Sequence, residues 1–334
     1  MKITPDSLPK VSILLAARNE KVFILDVLHS LASLDYPTEK LEIWIGDDHS
    51  TDGMEQVILP FIEDKPAFFY VRIDERVPSP LQGKARILEF LAQKATGDYF
   101  FFTDADMQLS NQWVKGMLTG FKKPEIGVVV GMSVVKSTSI FSVLQGLEWL
   151  SVLSVMHVLG HVKIPSTGMG NNMAVTRKAW EAVGGYTQIG FSIVEDYALY
   201  KEIIAKGFAF AHLFHQDILA FTQPPTHFFK QRKRWLQGAL SSKTFLLVPA
   251  SLQILLFPIL LFCGFFFPKE TSQFILGYFL FHTFLTSLEI SLLRLWGYLP
   301  FVFLFPFYLC ISWFLQGVNL LLPTKVEWKN RVYS

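Results

Sequence analysis

Short apolar runs alternate with amphipathic stretches over most of the first 240 or so residues. Strand-forming residues fill 11–17, 41–46, 68–73 and 98–103, and apolar residues recur at helical spacing between these runs. Because strands and helices alternate through short connections, we expect an α/β fold whose mostly parallel sheet carries helices on both faces.

The same spacing places further helices and strands. Asn19 is expected to cap the first helix, which would run through Leu34. The other predicted elements are, in chain order, helices over 54–62 and 83–96, a strand over 127–135, a helix over 140–162, a glycine-rich turn over 168–174, helices over 177–183 and 194–206, a strand over 208–214 and a helix from Pro224.

Polar clusters follow three of the predicted strands, at 18–20, at 47–48, and at Asp104 with Asp106. Ligands of open parallel sheets bind at this carboxyl edge. Asp104 and Asp106 are two residues apart, so in a strand they face the same side. Mg²⁺ commonly takes one or two carboxylates plus substrate phosphates. A lone Asp-x-Asp is more often a solvated turn, so its neighbours decide the interpretation.

From Phe245 onward the chain is almost entirely apolar. Its length and composition predict membrane spans over 245–267, 273–293 and 299–322. The earlier segment 140–162 is apolar but interrupted by polar residues, and we expect it to lie on the membrane surface. The second span is the weakest of the three, because it contains His282 and Glu289.

These features predict a cytosolic α/β domain over 1–243, a membrane region over 244–323 and a basic tail over 324–334. We expect the protein in the inner (cytoplasmic) membrane. Three spans would place the tail outside, against the positive-inside tendency, because the tail carries Lys325, Lys329 and Arg331. An interfacial or re-entrant second segment would return the tail to the cytosol. We expect three spans.

Composition excludes several other classes of protein. The net charge of +2 is too small to indicate nucleic acid as a partner. The two cysteines, Cys263 and Cys310, lie in the apolar part without partner ligands, so neither a zinc site nor a disulfide framework is expected. The polar first ten residues do not resemble a signal peptide. His157 and His161 lack the glutamate of a metalloprotease motif and are expected to be solvated or core residues.

Two helices carry further candidate residues. Glu195 and Asp196 open one helix, where the helix dipole alone also favours acids. One face of a later helix presents Gln231, Arg234 and Trp235. Attraction to anionic lipid would account for the neighbouring Arg232 and Lys233, but it gives no reason for the glutamine and the tryptophan.

In chain order these motifs resemble the family 2 glycosyltransferases, which include cellulose and hyaluronan synthases and ceramide glucosyltransferases. The resemblance covers about residues 10–240 and the C-terminal helices, and it implies the GT-A nucleotide-sugar-binding fold. The matching elements are Arg18-Asn19-Glu20, Asp47-Asp48-x-Ser50-x-Asp52, Gly83-Lys84-Ala85, Asp104-x-Asp106, the turn from Gly170 to Ala174, Gly184-Gly185-Tyr186, Glu195-Asp196 and Gln231-x-x-Arg234-Trp235.

The resemblance implies an inverting transfer from a nucleotide diphosphate sugar, expected to be a UDP-sugar, to a lipid-linked or saccharide acceptor. It makes Asp196 the general base and Asp106, with Asp104, the holder of Mg²⁺ or Mn²⁺. Arg234 and Lys84 would add positive charge at the diphosphate, and Trp235 would offer a flat face to the acceptor. Glu195 and Gln231 complete the expected catalytic set. The remaining substrate-binding residues that it implies are Ala16, Arg18, Glu20, Asp47, Asp48, Gly170 and Asn171.

Two features depart from the family pattern. His49 stands where many members have glycine before Ser50. The membrane region is also small, with no helix expected before residue 11, which favours one or a few transfers over extrusion of a long chain. A processive polysaccharide synthase remains the alternative enzyme. A membrane scaffold with a vestigial nucleotide site is the alternative outside enzymes, and the intact acidic and basic residues argue against it.

Overall fold

The computed structural model describes residues 8–74, 79–190, 192, 194–242, 244–323, 326–328 and 331–333. Contacts within the chain divide it into two units. The sheet unit comprises Met1–Ser133 and Met156–Thr222, and the helical unit comprises Val134–Val155 and Gln223–Ser334. The predicted domain boundary at residue 243 falls on a position outside the described residues.

The sheet unit is built on a seven-stranded sheet. Its strand order is β3-β2-β1-β4-β8-β6-β9, and only β8 runs antiparallel to its neighbours β4 and β6 among these described strands. Its seven strands are β1 (Val11–Ala17), β2 (Leu41–Asp47), β3 (Phe68–Arg72), β4 (Tyr99–Asp104), β6 (Ile126–Val130), β8 (Asn172–Thr176) and β9 (Ala209–His212). The short strands β5 (Met107–Leu109), β7 (Met132–Val135) and β10 (Leu219–Thr222) form a second sheet in the order β5-β10-β7. The predicted mostly parallel α/β fold is confirmed.

Helices cover both faces of this sheet. They are α1 (Ile24–Ala32), α2 (Glu55–Ile62), α3 (Gly83–Lys94), α4 (Trp113–Leu118), α6 (Arg177–Val183), α7 (Gly185–Ile189) and α8 (Glu195–Ala205). A further helix, α5 (Ile140–His161), has residues in both units. Side chains alternate between the two faces of a strand, so Phe100 and Phe102 of β4 lie on the same face. Both join the core that α3, α6 and α8 cover. Phe101 faces the other way and meets the ring of Trp113 at 5.2 Å. Apolar burial on both faces is typical of a parallel sheet under two helical layers.

The first helix differs from its prediction. It begins at Ile24 instead of following Asn19, and Val22 is 82% exposed. Asn19 has a left-handed backbone (φ +54°), and its side-chain oxygen accepts a hydrogen bond from Thr51 N at 2.8 Å. The side chain therefore fixes a loop between two strand ends, so it cannot cap the helix.

Two other predictions in the sheet unit need correction. The strand expected over 127–135 is broken at Gly131, where a Cβ atom would lie 2.3 Å from the side-chain oxygen of Asn172. The glycine-rich turn expected over 168–174 ends at residue 171, because Asn172–Thr176 forms β8 between β4 and β6.

The helical unit contains α9 (Phe228–Ser242), α10 (Leu247–Phe266), α11 (Pro268–Leu293), a 3₁₀ helix (Trp296–Phe301), α12 (Phe305–Leu321), β11 (Val326–Trp328) and β12 (Arg331–Tyr333). α9 begins later than its predicted start at Pro224. The third apolar segment is not one helix, since a 3₁₀ turn precedes the 17-residue α12. α10, α11 and α12 pack on one another.

Three described helices, α5, α10 and α11, are long and apolar enough to cross a membrane. α10 and α11 correspond to the first two predicted spans, whereas α12 is shorter than a usual span. The sequence predicts that α5 lies on the membrane surface. In the structure, 56% of the most apolar 18-residue stretch of α5 is buried inside the protein. In the basic tail, Lys325 and Lys329 lie outside the described residues.

Candidate active site

Three parallel strands bring their polar ends to one edge of the sheet. In register, Ala17 pairs with Asp47 and Ala16 pairs with Asp104. Arg18 to Glu20 follow β1, Asp48 follows β2 and Asp106 follows β4. The structure therefore brings together the strand-end residues that the sequence singles out, at the edge where ligands of such sheets bind.

Lys84 links acids from two other elements at this edge. It lies in the first turn of α3, and its Nζ atom is 2.6 Å from Asp104 Oδ1 and 3.4 Å from Glu195 Oε1. Burial alone would lower the pKa of Lys84, but the charges of Asp104, Glu195 and Asp196 outweigh it and raise that pKa above its usual range. Lys84 is therefore a fixed cation inside a group of carboxylates.

Glu195 is the first member of the acidic pair on α8, and its side chain is 18% exposed. Burial raises its pKa, and the charge of Asp196 adds to this effect, while the charge of Lys84 opposes it. The charge of Lys84 therefore stabilises the ionised form of Glu195.

The carboxylate of Asp196 is held in one orientation by two backbone N–H groups. Gly170 N donates to Oδ2 at 2.6 Å, and Tyr197 N donates to Oδ1 at 2.8 Å. Gly170 has little room for a side chain, since a Cβ atom there would lie 3.0 Å from Asp196 Cβ and 3.1 Å from Lys84 Nζ. At Gly168 a Cβ atom would lie 2.6 Å from the Asp196 carbonyl oxygen. The glycines let the loop close on an oriented, half-buried carboxylate.

Asp106 lies in an acidic environment beside this cluster. Thr222 Oγ1 donates to its Oδ2 at 3.1 Å. Burial and the charges of Asp104 and Glu20 raise the pKa of Asp106 to about 6. Two mutually repelling carboxylates are a donor set that a divalent cation would stabilise, so Asp104 and Asp106 fit Mg²⁺ or Mn²⁺. Within the described residues no group of three acidic, His or Cys ligands forms, so substrate phosphate and water would complete the coordination.

Asp47 and Asp48 differ in what they can offer a ligand. Asp47 is fully buried and accepts hydrogen bonds from Ser50 N at 2.7 Å and from the Tyr70 hydroxyl at 2.7 Å. Asp48 lies 3.3 Å from an Arg18 guanidinium nitrogen. Asp47 therefore shapes the loop after β2. Arg18, which follows β1, and Asp48, which follows β2, form an ion pair.

His49 has a backbone conformation that normally belongs to glycine. Its φ angle is +57°, in the left-handed region that side chains make unfavourable. This explains in physical terms why glycine suits the position before Ser50. The histidine side chain is half-buried, next to Asp48.

Two neighbouring asparagines at the start of β8 have different hydrogen-bond partners. Asn171 Oδ1 accepts a hydrogen bond from Ser133 Oγ at 3.1 Å. The fully buried Asn172 accepts from Trp113 Nε1 at 2.8 Å and donates to the carbonyl oxygens of Met132 and Ile218. Sequence reasoning missed Asn172, together with Thr222 and Tyr70. The available signal for Asn172 was a polar residue directly before the apolar, strand-forming run that starts at Met173.

In the helical unit, the basic run on α9 is not a solvated patch. Arg232 and Lys233 are both buried, contrary to the lipid-attraction interpretation. Arg232 forms an ion pair with Glu148 at 2.9 Å, and Lys233 donates to the carbonyl oxygen of Leu322. Both cations therefore hold helices together within this unit. Gln231, Arg234 and Trp235 are half-buried on the same helix.

Family models match most of the chain. Residues 12–180 match the model described as "Glycosyl transferase family 2", and residues 99–321 match "Glycosyl transferase family group 2". Both matches include β4 and the loop that carries Asp104 and Asp106.

Two curated relatives are similar to this chain over about 70% of its length. The chain is 25% identical over 241 residues to a "Beta-monoglucosyldiacylglycerol synthase" of Synechocystis sp., covering 69% of this chain and 48% of the relative. It is 28% identical over 243 residues to a "Poly-beta-1,6-N-acetyl-D-glucosamine synthase" of Staphylococcus aureus, covering 71% and 56%. The chain thus spans about half the length of the curated relatives it matches.

The fold is also that of a solved glycosyltransferase structure. The mannosyltransferase PcManGT from Pyrobaculum calidifontis, in complex with GDP-Man and Mn²⁺, superposes with a TM-score of 0.57 at 24% identity, covering 70% of this chain and 63% of the other. The likeness concerns the fold, and the bound nucleotide sugar and metal are those of that protein.

Proposed function

The chain belongs to glycosyl transferase family 2, and we propose that it is an inverting glycosyltransferase that moves a sugar from a UDP-sugar to a hydroxyl group of a lipid-linked or saccharide acceptor. The observation that carries this proposal is the orientation of Asp196. Its carboxylate accepts a 2.6 Å hydrogen bond from Gly170 N and lies in the charge cluster that Lys84 forms with Asp104 and Glu195.

In the proposed reaction the acceptor hydroxyl oxygen attacks the anomeric carbon from the face opposite the leaving group. The bond between that carbon and the diphosphate oxygen breaks, and its electron pair leaves with the nucleoside diphosphate. Asp196 takes the hydroxyl proton. The anomeric configuration inverts because the oxygen attacks from the face opposite the departing diphosphate. Base catalysis of this kind typically contributes about 10²–10⁴-fold to the rate.

The donor end of the proposed site needs positive charge. Lys84 supplies a fixed cation beside Asp104, and we assign Arg234 to the diphosphate because guanidinium groups suit bidentate phosphate contacts. A divalent cation held by Asp106 and Asp104 would neutralise the charge that develops on the leaving diphosphate. Ala16, Arg18, Glu20 and Asp48 are proposed to bind the nucleoside and ribose, with Asp47 fixing the loop beneath them.

The acceptor is proposed to be a lipid or a lipid-linked sugar. The relative from Synechocystis is named for a glucosyldiacylglycerol product, and α10 and α11 are long and apolar enough to anchor the chain in a bilayer. We place the sheet unit on the cytosolic side, where nucleotide sugars are made. Trp235 would present its ring to the acceptor, with Gln231 beside it on α9.

A processive polysaccharide synthase is the second candidate. The observation in its favour is the 28% identity to the poly-N-acetylglucosamine synthase of Staphylococcus aureus. The two candidates use the same chemistry at the donor. They differ in how many sugars are added before the acceptor is released.

A donor screen tests both candidates together. The purified full chain, in mixed micelles with dioleoylglycerol, is incubated with radiolabelled UDP- and GDP-sugars, and nucleoside diphosphate release and product size are measured. We expect cation-dependent release of UDP and a product carrying one or a few sugars. A long polymer would support the processive alternative. Release from none of the donors would contradict the enzymatic proposal and favour a scaffold role.

A further inference from the structure

The basic run on α9 contains an arginine whose surroundings differ from those of a lipid-binding residue. The guanidinium group of Arg232 lies over the ring of Trp235 at 4.7 Å and over the ring of Phe228 at 5.2 Å. Both distances are within the range of cation–π attraction, which strengthens when the cation is removed from water. The Arg232 side chain is only 8% exposed.

Glu148 of α5 holds this guanidinium in place. Its Oε2 atom lies 2.9 Å from Arg232 and also accepts a hydrogen bond from the Tyr308 hydroxyl at 2.9 Å. On the other oxygen, Gln316 Nε2 lies at 3.5 Å. The Glu148 side chain is 3% exposed. A carboxylate this deeply buried is stable only with such partners, and α12 contributes two of them.

The residue after Glu148 contacts the same indole from another side. Trp149 meets the Trp235 ring edge-on at 5.3 Å with an interplanar angle of 60°. Two consecutive residues of α5 therefore contact α9: Glu148 binds Arg232, and Trp149 packs against Trp235. The orientation of the Trp235 ring is fixed by a guanidinium group and by a second indole.

We propose that the guanidinium group of Arg232, held in place by Glu148, orients the indole ring of Trp235 for acceptor binding, so that Arg232 and Glu148 are both positioning residues. A buried ion pair often contributes no more stability than apolar packing of the same volume, so stability alone gives weak grounds for its presence. The inference rests on the proposed function, because that function assigns Trp235 to the acceptor.

Four variants of the full chain separate a positioning role from a merely structural one. Arg232→Gln removes the cation from the Trp235 ring, and Arg232→Lys keeps a cation that can still pair with Glu148. The double substitution Glu148→Arg with Arg232→Glu keeps an ion pair but places a carboxylate over the ring. Lys233→Gln is the matched control, since it removes a buried cation of the same helix that bonds the carbonyl oxygen of Leu322.

The first readout follows the ring itself. The protein is labelled with 5-fluorotryptophan, and Trp235→Phe identifies the ¹⁹F resonance of residue 235. We expect this resonance to move in Arg232→Gln and in the exchanged pair, and to stay close to its wild-type position in Arg232→Lys and Lys233→Gln. An unchanged resonance in Arg232→Gln would overturn the inference. So would recovery of the wild-type resonance in the exchanged pair, because ion pairing alone would then suffice.

The second readout is kinetic and uses dioleoylglycerol as the acceptor, with the donor that gives the fastest nucleotide release. We expect Arg232→Gln to raise the acceptor KM about tenfold, the size of effect that a desolvated cation–π contact can have, with donor KM changed less than about twofold. Equal changes in both KM values, or the same change in Lys233→Gln, would contradict a positioning role.

Trp235→Ala separates failure of this inference from failure of the proposed function. If the Trp235 resonance responds to Arg232 but Trp235→Ala leaves the acceptor KM unchanged, the ion pair orients the ring and the acceptor role of Trp235 is wrong. If Trp235→Ala raises the acceptor KM and Arg232→Gln does not, the proposed function stands and the positioning inference is wrong.

Discussion

The Lys84 ammonium group lies 2.6 Å from the Asp104 carboxylate, and this contact joins the first turn of α3 to the end of β4. The same nitrogen lies 3.4 Å from Glu195 and 3.5 Å from the carbonyl oxygen of Gly170. Lys84 therefore ties the acids at the strand edge to the helix that carries Asp196.

Removing this cation should impair both folding and transfer. Lys84→Met leaves Asp104, Glu195 and Asp196 without their buried counter-charge, and hydrogen bonds to charged groups contribute about 1.5–3 kcal/mol each. We expect the transfer rate to fall by roughly 10–100-fold and the melting temperature to drop. Lys84→Arg keeps the charge and should retain more of both. Wild-type rates in Lys84→Met would show that the cluster is irrelevant to the donor.

Metal dependence should depend on Asp106. Chelation with EDTA is expected to abolish nucleotide release by the wild-type protein, and Mg²⁺ or Mn²⁺ should restore it. Asp106→Asn removes one anionic ligand and should raise the Mn²⁺ concentration for half-maximal release by at least about tenfold. Thr222→Val, which removes only the hydrogen bond to Asp106, is expected to have a smaller effect. A release rate that EDTA does not change would contradict this prediction.

Relief of backbone strain should make His49→Gly more stable than the wild type. The left-handed backbone at His49 costs a side chain about 1–2 kcal/mol, partly offset by the entropy that glycine loses on folding. We expect a net gain of about 0.5–1 kcal/mol in the free energy of unfolding. Lys163→Gly is the control, since Lys163 has a φ angle of +59° on the exposed loop after α5.

The two glycine variants also test what His49 does. Equal stabilisation by both, with weaker UDP binding in His49→Gly alone, would show that the strained histidine contacts the nucleotide. A loss of stability in His49→Gly that the control does not share would show that the side chain contributes more to the fold than its backbone costs.

Acid should destabilise the sheet unit through Glu42. Burial would raise the pKa of this carboxyl group, but hydrogen bonds from Lys10, Thr96 and Ser12 lower it to about 2 from 4.5. A carboxyl group with a lowered pKa stabilises the fold above pH 4.5, and this contribution disappears as the pH falls towards 2. The shift corresponds to about 3 kcal/mol at pH 7.

Glu42→Gln measures this contribution. At pH 7 the variant should lose about 3 kcal/mol in denaturant unfolding, and at pH 3 the difference from wild type should shrink to about 1 kcal/mol. A difference independent of pH would mean that the ionised form of Glu42 is not what stabilises the sheet.

Local pattern was sufficient to predict the parallel half of the sheet. The continuous apolar run from Tyr99 to Phe102 follows from burial on both faces of the sheet. The polar residues at the strand ends follow from the place where ligands of such sheets bind. The family 2 resemblance and the GT-A fold class are confirmed by the family models and by the shared fold. The metal, donor and acceptor residues stay predictions.

The interpretations that proved wrong concern residues whose bonding partners are distant in the sequence. Asn19 was expected to cap a helix, but its side chain bonds Thr51 from the neighbouring strand end. Attraction to anionic lipid was the interpretation available for Arg232, but this residue pairs with Glu148, which lies 84 residues earlier in the chain. A charged residue inside an apolar segment indicates a buried pair, although the sequence alone does not identify its partner.

The rate of sugar transfer by Asp196→Asn tests the central claim most directly. The asparagine side chain can still accept a hydrogen bond from Gly170 N, so we expect an intact fold and UDP binding within about threefold of wild type by calorimetry, because the change leaves the cluster's other residues in place. Without a carboxylate to take the acceptor proton, transfer should fall by about 10²–10⁴-fold. Transfer at the wild-type rate, with UDP bound equally well, would contradict the assignment of Asp196 as the base.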